Sequence, residues 1–212
     1  ILGERVVCHG CGRTDAGVHA LNYMLHFDTT FDLGESFRKK LDRFLPQDIK
    51  IKRIFENTKR AHARYDALER SYRYILSKGK DPFLMDMSAI THEKYDVPLM
   101  NQACDILLEY DDFKTFSKSN NNHNNYICSI KKARWEETPG KYIFEIVSNR
   151  FLRSMIRMLT GTMVQVGRHK LTLAEFREIV ESRDRGRSGK SMRASGLYFD
   201  AVTYPEGCLK DL

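Results

Sequence analysis

Residues 127–136 and 141–148 form two apolar-rich runs separated by Thr138-Pro139-Gly140, and the second run feeds directly into a segment of helical periodicity. A Pro-Gly pair between two such runs reverses the chain, so they are expected to pair as a hairpin. In the segment that follows, Phe151, Leu152, Met155, Ile156, Leu159, Met163 and Val166 recur at helical spacing and have to be buried together on one face. Gly167 then stands where a left-handed C-terminal cap belongs. A hairpin followed at once by a helix predicts an α+β fold, with strands in antiparallel groups and helices packed on one side.

The rest of the chain repeats the theme. Alternation at Tyr23, Leu25 and Phe27 predicts a strand, and residues 49–55 (Ile-Lys-Ile-Lys-Arg-Ile-Phe) predict another. Between them Phe37, Leu41, Phe44 and Leu45 trace a helix that Pro46 ends. Residues 71–77 read as a strand, and Leu99, Ala103, Ile106, Leu107 and Tyr110 as the apolar stripe of a helix after Pro98. Residues 117–125 hold five asparagines and no apolar side chain, which predicts a solvated loop. Thr172 and Glu175 make a capping box ahead of Phe176, Ile179 and Val180. Residues 182–193 are an Arg-, Lys-, Gly- and Ser-rich loop, and residues 197–204 a last strand before Pro205. The expected division is 1–67 and 68–212, two α+β halves.

Lys and Arg number 35 against 28 Asp and Glu, a formal charge of +7, which suits a polyanionic partner. No run approaches the roughly 18 apolar residues of a membrane span. Five cysteines, an odd number mostly set in or beside apolar segments, fit a reducing compartment, so a cytoplasmic protein is expected. The sequence opens at Ile1 in mid-pattern, which predicts further chain ahead of it.

The densest unusual stretch is Gly10-Cys11-Gly12-Arg13-Thr14-Asp15-Ala16-Gly17-Val18-His19-Ala20. Three glycines make a tight, exposed loop, and a guanidinium near its Asp would keep the carboxylate ionised even when partly desolvated. Such a carboxylate serves as a nucleophile or an electrostatic stabiliser, whereas the structural alternative is an Asx-turn with a salt bridge. Cys8 and Cys11 form a C-x-x-C, but no second pair follows at zinc-finger spacing, and the thioredoxin-like context of a redox pair is lacking.

The string from Gly12 to Ala20 resembles the signature of the tRNA pseudouridine synthase A family, in which the Asp is catalytic. Three further segments are similar to that family in the same order. They are Ala63-Arg64-Tyr65-Asp66-Ala67 with Arg70-Ser71-Tyr72-Arg73-Tyr74, then Asn149-Arg150-Phe151-Leu152-Arg153 through Arg157 and Gly161, then Ala194-Ser195-Gly196-Leu197-Tyr198-Phe199. The resemblance implies the pseudouridine synthase α+β fold, mixed and antiparallel sheets with helices on one face and a catalytic cleft. It also implies a homodimer that isomerises uridine to pseudouridine in the tRNA anticodon stem-loop, with no cofactor, metal or membrane. Family members carry a strand and helix ahead of the Asp loop that this sequence starts too late to hold.

Carried onto this chain, the resemblance makes Asp15 the catalytic residue and Arg13, Tyr72, Arg157 and Leu197 the substrate-binding ones. Arg13 and Arg157 would hold Asp15 and contact phosphate; Tyr72 and Leu197 would wall the pocket of a flipped uracil. Apart from the resemblance, a Tyr on an alternating strand such as Tyr72 is more often plain core. Arg150, Arg153 and Arg157 share one helical face at spacings of three and four, which as a plain charge run is a solvated surface. Arg38, Lys39, Lys40, Lys59, Arg60, Arg64 and the 183–193 loop are candidate phosphate contacts. The rival readings are a non-catalytic basic RNA-binding protein and a metal or redox protein built on Cys8 and Cys11.

Overall fold

The computed structural model describes residues 2–3, 5–31, 33–118 and 125–212. In chain order the strands are β1 (His9–Gly10), β2 (His19–Ala20), β3 (Leu25–His26), β4 (Phe55–Asn57), β5 (Glu69–Lys78), β6 (Ala89–Thr91), β7 (Ile130–Thr138), β8 (Lys141–Ser148), β9 (Leu197–Thr203) and β10 (Leu209–Asp211). The helices are α1 (Glu35–Phe44), α2 (Val97–Leu107), α3 (Met155–Gly167) and α4 (Leu173–Glu181). The chain forms two discontinuous units: Ile1–Arg13, Met24–Leu68 and Thr203–Leu212 make the first, Thr14–Tyr23 and Glu69–Val202 the second. Among the described residues no helix is long and apolar enough to cross a membrane. Residues 119–124 of the expected asparagine loop lie outside the described residues.

In the first unit, β1 pairs antiparallel with β3, and β4 with β10. The strand expected over 49–55 is reduced to β4, because both backbone groups of Ile51 are taken by α1. Ile51 N–H donates to Asp42 Oδ1 at 2.8 Å, and Arg38 Nη1 donates to the Ile51 carbonyl at 3.1 Å. A residue whose donor and acceptor are both occupied has nothing left for a ladder. Helix α1 ends on an extended Leu45 before Pro46, as the proline demands. Its expected apolar stripe is only half-buried, for Phe44 is exposed.

The second unit holds a sheet of order β2-β9-β5-β8-β7, with β6 also pairing β5. The hairpin β7–β8 forms as expected, turning at Gly140 with φ +78°, a value that glycine adopts without strain. Tyr72, Tyr74 and Leu76 of β5 stand opposite Ile146, Phe144 and Tyr142 of β8, and all six side chains are buried on one face. There Trp135 of β7 stacks on Phe144 with centroids 5.0 Å apart, and its Nε1–H points at Met163 Sδ of α3, 3.1 Å away. Helix α2 packs against β7 and α3, and Asn101 of α2 clips the backbone of Trp135 through two hydrogen bonds of 2.8 and 3.1 Å. The capping box of α4 forms, Thr172 and Glu175 each satisfying the other's backbone N–H.

Helix α3 starts later than its periodicity predicts. Ser154 adopts φ +61°, a left-handed conformation that breaks helical continuity, so Phe151 and Leu152 precede the helix although their neighbours continue its stripe. At the other end Gly167 is helical, and the left-handed residue is His169 with φ +55°. Gly167 serves close packing instead: a Cβ there would sit 2.5 Å from Met100 Sδ of α2.

Candidate active site

The Asp loop enters the second unit at Thr14 and is shaped by a turn in which Val18 N–H donates to the Asp15 carbonyl at 3.2 Å. Gly17 has φ +79°, which a side chain would strain, and its Cα faces the Ala194 methyl group. Beyond the turn, β2 pairs in parallel with β9, His19 opposite Tyr198 and Ala20 opposite Phe199. The His19 ring stacks on Tyr198 at 4.8 Å, and its Nε2 is 2.8 Å from the Asp86 carbonyl. The carboxylate is therefore carried on a turn whose far side is fixed by a ladder and a ring stack.

The partners of that carboxylate come from the start of α3. Arg157 Nη1 donates to Asp15 Oδ2 at 2.8 Å, and Ser154 Oγ donates to the same oxygen at 3.2 Å. The left-handed backbone at Ser154 is thus found at a residue whose hydroxyl reaches Asp15. Arg157 is itself held, since its Nε donates to the Met192 carbonyl at 2.6 Å and Met192 N–H donates to the Arg157 carbonyl at 3.1 Å. Both charged groups are partly withdrawn from water, with 30% of the Asp15 and 20% of the Arg157 side chain exposed. A charge-assisted bond in such a setting is stronger than at an open surface and fixes the carboxylate in one orientation.

Of the five sequence candidates, the structure joins Asp15 to Arg157. Tyr72 and Leu197 are buried, at 8% and 7% exposure. The Tyr72 ring meets Phe151 and Phe199 edge-on, each at 5.1 Å, a core environment of the kind its alternating strand allows. Strand β9 links the parts: Ala194 just before it lies by Gly17, Leu197 opens it, and Phe199 on it touches Tyr72. Arg13 is exposed and is the last residue of its segment in the other unit. Arg150 and Arg153 precede α3, so the expected three-arginine helical face is not formed, and only Arg157 lies on the helix. Cys8 is exposed and Cys11 fully buried.

Three residues to which sequence reasoning assigned no site role belong to this neighbourhood. Ser154 and Met192 bond the ion pair directly, and Tyr74 Oη donates at 2.7 Å to the Arg193 carbonyl, next to Met192. Burial pushes the Tyr74 phenol far up from its ordinary value, so it stays a donor at any ordinary pH. A cavity of about 370 Å³ is lined by Met158, Arg185, Lys190 and the serines Ser188 and Ser191; Asp15 is not among its lining residues.

Comparison with known proteins bears on this arrangement. The family model described as tRNA pseudouridine synthase matches residues 104–205. A tRNA pseudouridine synthase A of Porphyromonas gingivalis is 41% identical over 210 residues, covering 97% of this chain and 83% of the relative. Its counterpart in Parabacteroides distasonis is 40% identical over 199 residues, covering 93% and 79%. That of Azobacteroides pseudotrichonymphae is 39% identical over 212 residues, covering 100% and 85%. Identity at this level over nearly the whole of this chain means that it belongs to the tRNA pseudouridine synthase A family.

Proposed function

We propose that this chain isomerises uridine to pseudouridine in the anticodon stem-loop of tRNA, as a homodimer in the cytoplasm, with Asp15 as its catalytic residue. The single observation that carries the reading is the Asp15 carboxylate, oriented by Arg157 and Ser154 and still partly open to solvent. The net charge of +7 supports an RNA substrate, since phosphate neutralisation releases counterions.

In the reaction the N1–C1′ bond of uridine breaks, the uracil turns within the site, and C5 bonds to C1′. The C5 proton leaves and N1 gains one, so no electron donor or acceptor is needed. Asp15 supplies the negative charge, as nucleophile or as stabiliser of the electron-poor centre. Arg157 and Ser154 keep its Oδ2 engaged, leaving Oδ1 for the nucleotide. The base must be flipped out of its stack first, at a cost of a few kcal/mol. Tyr72 and Leu197 are assigned to the wall that receives it, and Arg13 to phosphate contact.

The test is tritium release from tRNA labelled at uridine C5, because only substitution at that carbon frees the label. The chain is expected to release it, and Asp15→Asn to release none while binding tRNA with affinity within about twofold of the parent. Retention of the label by the parent chain, or release by the variant at the parental rate, would overturn the assignment.

A further inference from the structure

The cationic segment that sequence alone offers as a phosphate-binding loop has a second relation to the site. Its backbone crosses α3 at a point where both segments carry glycine. A Cβ on Gly161 would overlap the Lys190 carbonyl oxygen and lie 3.0 Å from the Lys190 carbonyl carbon. A Cβ on Gly189 would sit 2.6 Å from both the carbonyl carbon and oxygen of Gly161 and 2.7 Å from Thr162 N. Neither contact is with a flexible side-chain end, so neither position accepts a methyl group without moving main chain. The crossing is fastened by Gly189 N–H donating to Thr162 Oγ1 at 2.9 Å.

Three residues past Gly189 the same segment reaches Met192. Its carbonyl accepts from Arg157 Nε, while Met192 N–H donates to the Arg157 carbonyl. Arg157 Nη1 is the atom that holds Asp15. A guanidinium is a rigid plane, so fixing Nε on Met192 sets the direction of Nη1. The segment is tied again one residue later, where the Arg193 carbonyl accepts from Tyr74 Oη.

We propose that the Gly161–Gly189 crossing is a positioning device for catalysis: it seats the 189–193 strap at the height on α3 where Met192 aims the Arg157 guanidinium at Asp15. Gly161 and Gly189 are positioning residues that act through Met192 and Arg157 and touch no substrate. This inference rests on the assignment of Asp15 and Arg157 made above.

The test is a set of variants assayed by tritium release from C5-labelled tRNA, with kcat and KM determined separately. Gly161→Ala and Gly189→Ala are expected to lower kcat about tenfold or more, with KM for tRNA changed by less than about twofold, because a misplacement near 1 Å suffices for such losses. Gly167→Ala, which strains the α2–α3 contact elsewhere on the same helix, is expected to lower Tm and leave kcat at the parental value. In an Arg157→Lys background the lysine keeps the charge but has no Nε donor, and Gly161→Ala is expected to bring no further loss of kcat. Equal losses in the parental and Arg157→Lys backgrounds, or an unchanged kcat in both glycine variants, would overturn the proposal. The Arg157 Nε–H resonance, expected to be shifted and protected from exchange in the parent and to lose both properties in Gly189→Ala, reads the same device without turnover. Should the parent chain release no tritium, the catalytic reading fails, whereas an Nε–H resonance that keeps its parental shift and protection in Gly189→Ala sinks the positioning inference alone.

Discussion

Arg157 Nη1 and Asp15 Oδ2 are 2.8 Å apart, on side chains 142 residues distant in sequence and each mostly shielded from water. Removing one member of such a pair leaves the other partly desolvated and free to turn. Arg157→Ala is expected to lower kcat about 10- to 100-fold, since it deletes both the bond to Asp15 and the anchor on Met192. Ser154→Ala removes a longer bond to the same oxygen, and a loss of about two- to fivefold is expected. Steady-state tritium release ranks the two, and the reverse ranking would assign orientation of the carboxylate to Ser154.

Gly196 lies under Tyr74. A Cβ there would approach Tyr74 Cζ to 2.6 Å and the Ile75 carbonyl oxygen to 2.9 Å, both on β5, where the Tyr74 side chain is fully buried. Gly196→Ala is expected to cost about 1–3 kcal/mol of stability as the strand and ring move apart. Urea unfolding measures it, through a lower midpoint with an unchanged slope.

Asn101 is the only contact of its kind between a helix and the β7 backbone among the described residues, bonding both polar groups of Trp135. Asn101→Ala leaves a carbonyl and an N–H without these partners, and a loss of about 1–3 kcal/mol is expected. Asn101→Asp retains an acceptor for the Trp135 N–H, so denaturation should place it between the parent and the alanine variant.

In the first unit His9, His26 and His62 form a ring cluster, with His26 stacked on His9 at 5.0 Å and set edge-on to His62 at 4.8 Å. His26 Nδ1 accepts from Ala63 N–H at 3.1 Å, which a doubly protonated ring cannot do. Burial, then the neighbouring His62 and His9, hold His26 below its ordinary 6.5, against the pull of Asp28. The unfolded chain therefore binds the proton more readily than the folded one. The stabilisation is complete above 6.5 and is lost as pH falls through the lowered folded value. His26→Asn keeps an acceptor for Ala63 and cannot titrate, so its Tm should decline less than the parent's between about pH 7 and pH 5.5. Parallel declines would mean that another group governs stability there.

What could be read from sequence was whatever had a short period or a local signal. The β7–β8 hairpin, the stripe of α2 and the Thr172–Glu175 box all depend on residues within a few positions of one another. The errors share a cause as well. The strand over 49–55 failed because Asp42 and Arg38 took the Ile51 backbone, and the arginine face failed because Ser154 turned left-handed just before α3. At the site, the resemblance pointed to Asp15 and Arg157. Ser154 and Met192 were given no role, since a hydroxyl or a main-chain carbonyl in the right place is set by contacts far apart in the chain.

The pairing of β4 with β10 has a bearing on how this polypeptide is made. Thr58, beside β4, bonds Cys208, beside β10, across 150 intervening steps of the sequence. A ribosome will therefore have translated β4 long before its partner exists, and the nascent first unit has to wait with that edge unzipped until residues 209–211 emerge.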